Sequence, residues 1–205
     1  MVKQLVFLLE EPSMAEVLKV LLPKVLPDDV GFKLIIHDGK QDLEKSIPTR
    51  LRQWKTPNTY FVIVRDQNSD DCVKLKQRLK HLCQQAGKPD TLVRIVCHEL
   101  EAWFLGDLAA VEKAFKINGL AKQQPNKKFR NPDRLANASQ ELGKLIKNYE
   151  KRQGARAIAP CLDLSNNRSS SFQVFIKGVQ DLAQQRFIVS INARESSFYN
   201  DKDCL

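Results

Sequence analysis

No apolar run in this chain approaches the roughly 20 residues that a bilayer-spanning helix needs, so no membrane segment is expected. The Leu5–Leu9 run is too short for a signal-peptide core and leads straight into two glutamates, so export is not expected either. Cysteine is sparse. Cys72, Cys83, Cys97, Cys161 and Cys204 are odd in number and include no Cys-x-x-Cys pair. That argues against a disulfide framework and a zinc site, and the expected address is a reducing cytoplasm. The three histidines, His37, His81 and His98, show no His-x-x-x-His spacing, against a histidine-rich metal centre. Gly-x-Ser-x-Gly, Gly-x-x-x-x-Gly-Lys-Ser/Thr and Gly-x-Gly-x-x-Gly are all missing, which disfavours serine-hydrolase, P-loop and dinucleotide-binding readings. Internal repeats and sustained low complexity are absent too.

What is present is an ordinary globular composition. With 205 residues, 42% hydrophobic and 28% charged, the chain suits one domain, or one domain with a small appendage, and can bury a core without staples. The net charge of +9 is concentrated. Residues 113–156 hold twelve Lys/Arg and three acids, so the remainder of the chain is neutral. This segment is either a solvated helical face or a contact surface for a phosphate backbone.

Apolar strands are expected at residues 2–9, Phe32–His37, Tyr60–Asp66 and Leu92–Cys97, alternating with helices at about Ser13–Leu22, Gln41–Trp54 and Asp71–Gln85. Ser13 with Glu16 fits a capping box. The β-α-β order makes a parallel sheet with right-handed crossovers the economical arrangement. Beyond Cys97 the pattern turns helical: Glu99–Phe115 with a hinge near Gly106-Asp107, then Pro132–Tyr149 and Ser171–Gln185. Residues 118–133 read as a polar loop and 153–170 as a linker, with a strand at Phe187–Ile191 in a polar tail.

The strand ends carry the chemistry. The first runs into Glu10-Glu11, the third into Asp66-Gln67-Asn68-Ser69-Asp70-Asp71, and the fourth into His98-Glu99-Leu100-Glu101. Acidic residues at the carboxyl ends of neighbouring strands lie where an open α/β sheet binds its ligand. If the chain stays extended past Asp66, then Asp66, Asn68 and Asp70 point one way. Together with Glu10 they offer the oxygen donors that Mg²⁺ takes from a protein, leaving positions for water and phosphate. Asp70 and Asp71 also stand where a helix N-cap belongs. Glu99 and Glu101 share a face on a strand, where both can be ligands, but diverge on a helix, where one can be a ligand and the other faces solvent. Lys40, after the second strand, either neutralises charge on a phosphate or is one more surface lysine. Arg168 and the serines up to Ser171, ahead of a helix, suit either phosphate or a simple serine-rich cap.

Leu9-Glu10-Glu11-Pro12-Ser13, Arg65-Asp66-Gln67-Asn68-Ser69-Asp70-Asp71-Cys72 and Glu99-Leu100-Glu101-Ala102-Trp103 occur here in sequence. With Lys128-Phe129-Arg130-Asn131-Pro132-Asp133 and Asn167-Arg168-Ser169-Ser170-Ser171-Phe172, they resemble the bacterial family known as domain of unknown function 4276, over about residues 2–183. That family looks like a variant of the Toprim fold of topoisomerases, primases and the overcoming-lysogenization-defect nucleases. The resemblance implies an α/β, Toprim-like Rossmannoid core at 1–105, with a mostly parallel sheet of about four strands flanked by helices. A basic helical extension at 106–185 packs on it, and 186–205 form a tail.

It further implies a Mg²⁺- or Mn²⁺-dependent nuclease of DNA or RNA. Glu10, Asp66, Glu99, Glu101 and Lys40 are its candidate catalytic residues, and Glu10, Asp66, Asn68, Asp70 and Glu101 its candidate metal ligands. Lys127, Lys128, Arg130, Arg134, Arg168 and Ser171 are the candidate nucleic-acid contacts. An ATPase of the ABC or structural-maintenance type, as in phage-defence systems, is the implied partner. Two positions depart from the Toprim pattern: Asn68 replaces an aspartate, and Glu11 replaces the glycine after the first glutamate. A non-catalytic binding subunit and a small-phosphoester hydrolase are the competing readings.

Overall fold

The computed structural model describes residues 3–184. The expected strand at Phe187–Ile191 and the tail at 186–205 lie outside them. Four strands, β1 (Lys3–Leu9), β2 (Val30–Ile36), β3 (Thr59–Asp66) and β4 (Leu92–Val96), form one sheet in the order β2-β1-β3-β4. Every pairing is parallel. The fold is α/β, as the alternating strand and helix signals require. Register aligns the strand ends: Leu9 faces both Ile36 and Val64, and Asp66 faces Val96. Loops after β1, β3 and β4 therefore leave from one rim. β1 sends its chain to β2 on one side and pairs with β3 on the other, so the topological switch point falls between β1 and β3.

Alternation along the strands explains the two cores. Leu5, Phe7 and Leu9 of β1 and Val62 and Val64 of β3 face one side, while Val6, Leu8, Phe61 and Ile63 face the other. The second side is covered by α2 (Gly39–Gln53) through Leu43, Ile47 and Leu51, and by α3 (Cys72–Gln85) through Leu75 and Leu79. The first side is larger. α1 (Pro12–Val25) packs there with α4 (Glu101–Leu105), α5 (Leu108–Phe115), α6 (Ala138–Leu145), α7 (Lys151–Ile158) and α8 (Ser170–Gln184). No helix among the described residues is long and apolar enough to cross a membrane.

Several local expectations need correction. α1 begins at Pro12 with Glu11 at its N-cap, because proline's fixed φ suits the first helical position. Ser13 is thus inside the helix, donating to the Glu11 carboxylate, and Glu16 turns away from the cap. α1 also runs past Pro23 to Val25. The helix expected over Pro132–Tyr149 is broken: a single 3-10 turn covers Pro132–Arg134, and α6 ends at Leu145. Asn148, at φ 57°, reverses the chain, and α7 then occupies part of the expected linker. The polar loop at 118–133 is pinned by Gln124, which binds the Leu105 and Phe129 carbonyls at 3.0 and 2.9 Å and accepts from the Leu108 N–H at 2.7 Å. The hinge at Gly106-Asp107 is as expected, with Asp107 capping α5 through the Ala110 N–H at 2.9 Å.

Candidate metal centre

Glu10 leaves β1 at the switch point, and its Oε2 accepts the backbone N–H of Asp66 at 3.1 Å. The first and third strands therefore bring their terminal carboxylates to one place. Asp66 is 6% exposed, and its Oδ2 accepts the Leu100 N–H at 3.3 Å. Glu101, one residue on, opens α4 and is only 1% exposed. Its Oε1 accepts from the Tyr149 hydroxyl at 3.0 Å. Its buried Oε2 has no hydrogen-bond partner, and Lys151 Nζ stands 4.0 Å away.

The electrostatics of this group are unbalanced. Burial, then the charges of Glu11, Glu10 and Glu101, push the Asp66 carboxyl well above its ordinary range. Burial likewise raises Glu10, against the Asp66 N–H and the Arg65 charge, and raises Glu101, against Lys151. Burial pulls the Lys151 amine down, but Glu101, Glu11, Asp66 and Glu99 outweigh it and hold it up. Carboxylates taken out of water and crowded together call for a cation. The orphaned buried oxygen on Glu101, whose charge reaches the Asp66 carboxyl, is the kind of donor a hard divalent ion takes. Among the described residues, no three or more His, Cys, Asp or Glu side chains are grouped closely enough, as placed, to hold a metal ion.

The remaining expected ligands go elsewhere. The chain does not stay extended past Asp66: Asn68 adopts φ 53°, with its N–H on the His98 carbonyl at 2.7 Å and its side-chain amide on the Asp66 carbonyl at 3.4 Å. Asp66, Asn68 and Asp70 therefore do not line one side. Asp70 pairs instead with Arg65 at 2.7 Å, which lowers its carboxyl pKa. Arg65 is buried on the α2 and α3 side, with Glu44 at 3.5 Å and Glu10 at 3.9 Å from its Nε. Asp71 caps α3 through the Lys74 N–H at 2.9 Å. Glu99 turns to the start of α6, accepting the Ser139 N–H at 2.8 Å. Lys40 is exposed; its charge adds to the lowering of Asp70 and only weakly opposes the burial that raises Glu10.

The basic residues divide into two sets. Lys128 and Lys144 pair with Glu141, while Arg152 and Arg156 pair with Glu16. Lys127, Arg130, Arg134 and Arg168 are exposed. Ser171 is not on that surface. It is buried, its hydroxyl accepting from Trp103 Nε1 at 3.0 Å and its N–H donating to Asp133 at 2.9 Å. Asp133 also accepts from the Ser169 hydroxyl at 2.7 Å, and Asn167 holds the Trp103 carbonyl at 2.8 Å. The Asn167–Phe172 motif thus locks α8 onto α4. Sequence reasoning missed Tyr149 and Lys151, because the Asn148 turn just before them and Gly154 within the helix hid the start of α7.

Residues 9–180 match the family described as Domain of unknown function (DUF4276). The chain belongs to that family. Its fold resembles the C-terminal region of the Burkholderia pseudomallei OLD protein, with a TM-score of 0.54 at 15% identity, covering 87% of this chain and 98% of that one. The C-terminal region of the Xanthomonas campestris pv. campestris OLD protein also matches, with a TM-score of 0.47 at 16% identity, covering 88% and 96%. No curated protein matches. The DUF4276 chain is accordingly a Toprim-like α/β domain, with Glu10 and Asp66 at the carboxyl rim of its parallel sheet.

Proposed function

We propose that this DUF4276 chain is a Mg²⁺- or Mn²⁺-dependent nuclease that hydrolyses phosphodiesters of DNA or RNA. One observation carries the reading: the Asp66 N–H joins Glu10 at the switch point, and Glu101, beside the Leu100 N–H that Asp66 accepts, keeps a buried oxygen that no donor satisfies. These three residues would hold the ion. When bound, such an ion acidifies a coordinated water and polarises a phosphoryl oxygen. The Asp66 N–H orients the Glu10 carboxylate, and the Leu100 N–H orients that of Asp66. Lys151 brings a cationic group to the same carboxylates and would meet negative charge developing on the phosphoryl group. Lys127, Arg130, Arg134 and Arg168 would hold the strand by its phosphates, giving salt-sensitive affinity. In this reading residues 1–105 supply the carboxylates, and the helical extension supplies Lys151 and the basic surface. An ABC or structural-maintenance-type ATPase is the proposed partner.

The test is cleavage of single- and double-stranded DNA and RNA with Mg²⁺ or Mn²⁺, by the unsubstituted chain and by Glu10→Gln and Asp66→Asn. Metal-dependent cleavage lost in both folded variants supports the proposal, and undiminished cleavage refutes it. A second reading has its own observation. Asn68 supplies no carboxylate, and Asp70 is occupied by Arg65, which suits a non-catalytic subunit that binds nucleic acid or an ATPase. Binding without metal uptake or cleavage would favour that reading.

A further inference from the structure

We propose that Tyr149 is a positioning residue for the metal centre, its hydroxyl fixing the Glu101 carboxylate so that Oε2 stays turned toward the cation. The inference rests on the metal reading above. A carboxylate can present either oxygen, and a hydrogen bond to one of them settles which is left for the ion. Here the Tyr149 hydroxyl takes Oε1 at 3.0 Å, while the buried Oε2 faces Lys151 at 4.0 Å and has no hydrogen-bond donor. One short stretch supplies both neighbours, since Tyr149 immediately precedes α7 and Lys151 is its first residue.

The backbone is shaped to admit this tyrosine. Asn148, in the left-handed region at φ 57°, turns the chain immediately before it. The ring then lies against α7 at Gly154. A Cβ there would sit 2.1 Å from Tyr149 Cε2, 2.9 Å from Cδ2 and 3.0 Å from Cζ. Glycine is a poor residue for a helix interior, and its presence is explained by the ring that crosses it. A tyrosine needed only to fill space would not require its hydroxyl on a carboxylate that is otherwise unsatisfied at its second oxygen.

The experiment is Mn²⁺ binding to the full chain, followed by electron paramagnetic resonance. The proteins are the unsubstituted chain, Tyr149→Phe, Glu101→Gln and the double variant, each checked for folding by thermal melting. Tyr149→Phe keeps the ring over Gly154 and removes only the hydroxyl. It should weaken Mn²⁺ binding by about tenfold, the lower end expected for a group that orients a ligand, with little change in melting temperature. In the Glu101→Gln background the same substitution should have no further effect. Unchanged Mn²⁺ affinity in Tyr149→Phe, or losses that multiply in the double variant, would overturn the proposal. An unsubstituted chain that takes up no Mn²⁺ would bring down the metal reading itself, and this inference with it.

Discussion

Replacing Glu16 with glutamine should loosen the clasp between α1 and α7. The buried Glu16 carboxylate accepts from Arg152 Nε at 3.0 Å and from Arg156 Nε at 3.2 Å, with the Nη2 atoms at 2.9 and 3.2 Å. The Arg156 guanidinium foremost, opposed by burial and helped by Arg152, lowers its pKa from 4.5 to about 2. At about 1.36 kcal/mol per pH unit, that corresponds to roughly 3.4 kcal/mol. Both arginine side chains are more than half exposed, so solvent screening leaves roughly 1–2 kcal/mol. The folded-state value is depressed, so this stability is present in full above about pH 4.5 and fades as the pH falls toward about 2. Urea denaturation followed by circular dichroism, at pH 7 and pH 3, measures it. Glu16→Gln should unfold earlier at pH 7, with a narrower gap at pH 3. Coincident curves at pH 7, or a gap of equal size at pH 3, would refute the reasoning.

Asp66→Asn should raise the melting temperature of the metal-free chain at pH 7. A carboxyl raised in the folded state favours folding at low pH and loses that contribution as the pH rises through its folded value. Added Mg²⁺ should stabilise the unsubstituted chain and not this variant, and calorimetry with and without the ion checks both. Gly106→Ala would place a Cβ 2.1 Å from Asn167 Oδ1 and 2.8 Å from the Ser169 backbone nitrogen. A loss of roughly 1–3 kcal/mol in urea denaturation is expected, and an unchanged midpoint would contradict the lock between α4 and α8. Arg130→Ala and Arg134→Ala should each reduce the salt slope of duplex DNA binding by about 0.9. Fluorescence anisotropy at several salt concentrations reads that slope, and an unaltered one would remove them from the interface.

The strands were legible because β1 and β3 are buried on both faces and therefore read as continuous apolar runs. Their order was not legible: Glu10 and Asp66 converge only if their strands are neighbours, and the pairing of β1 with β3 supplies that. Geometry within the loops was not legible. The left-handed turn at Asn68, which separates Asp66 from Asp70, depends on hydrogen bonds to His98 and the Asp66 carbonyl that no local pattern announces. Glu99 and Glu101 stood as equals until the fold placed Ser139 beside one and Tyr149 beside the other. Ser171 belonged to a motif suited to phosphate, yet Asp133 and Trp103 claim its polar groups from a distance in sequence. Lys151 lay hidden among twelve basic residues, because charge counting cannot tell a lysine aimed at a carboxylate from one aimed at water.

Crystals grown with Mn²⁺ and measured for anomalous scattering would locate the ion itself. The account predicts a peak between the side-chain oxygens of Glu10, Asp66 and Glu101, and its disappearance in Asp66→Asn. A fully loaded ion bound elsewhere, with those three carboxylates bare, would contradict it.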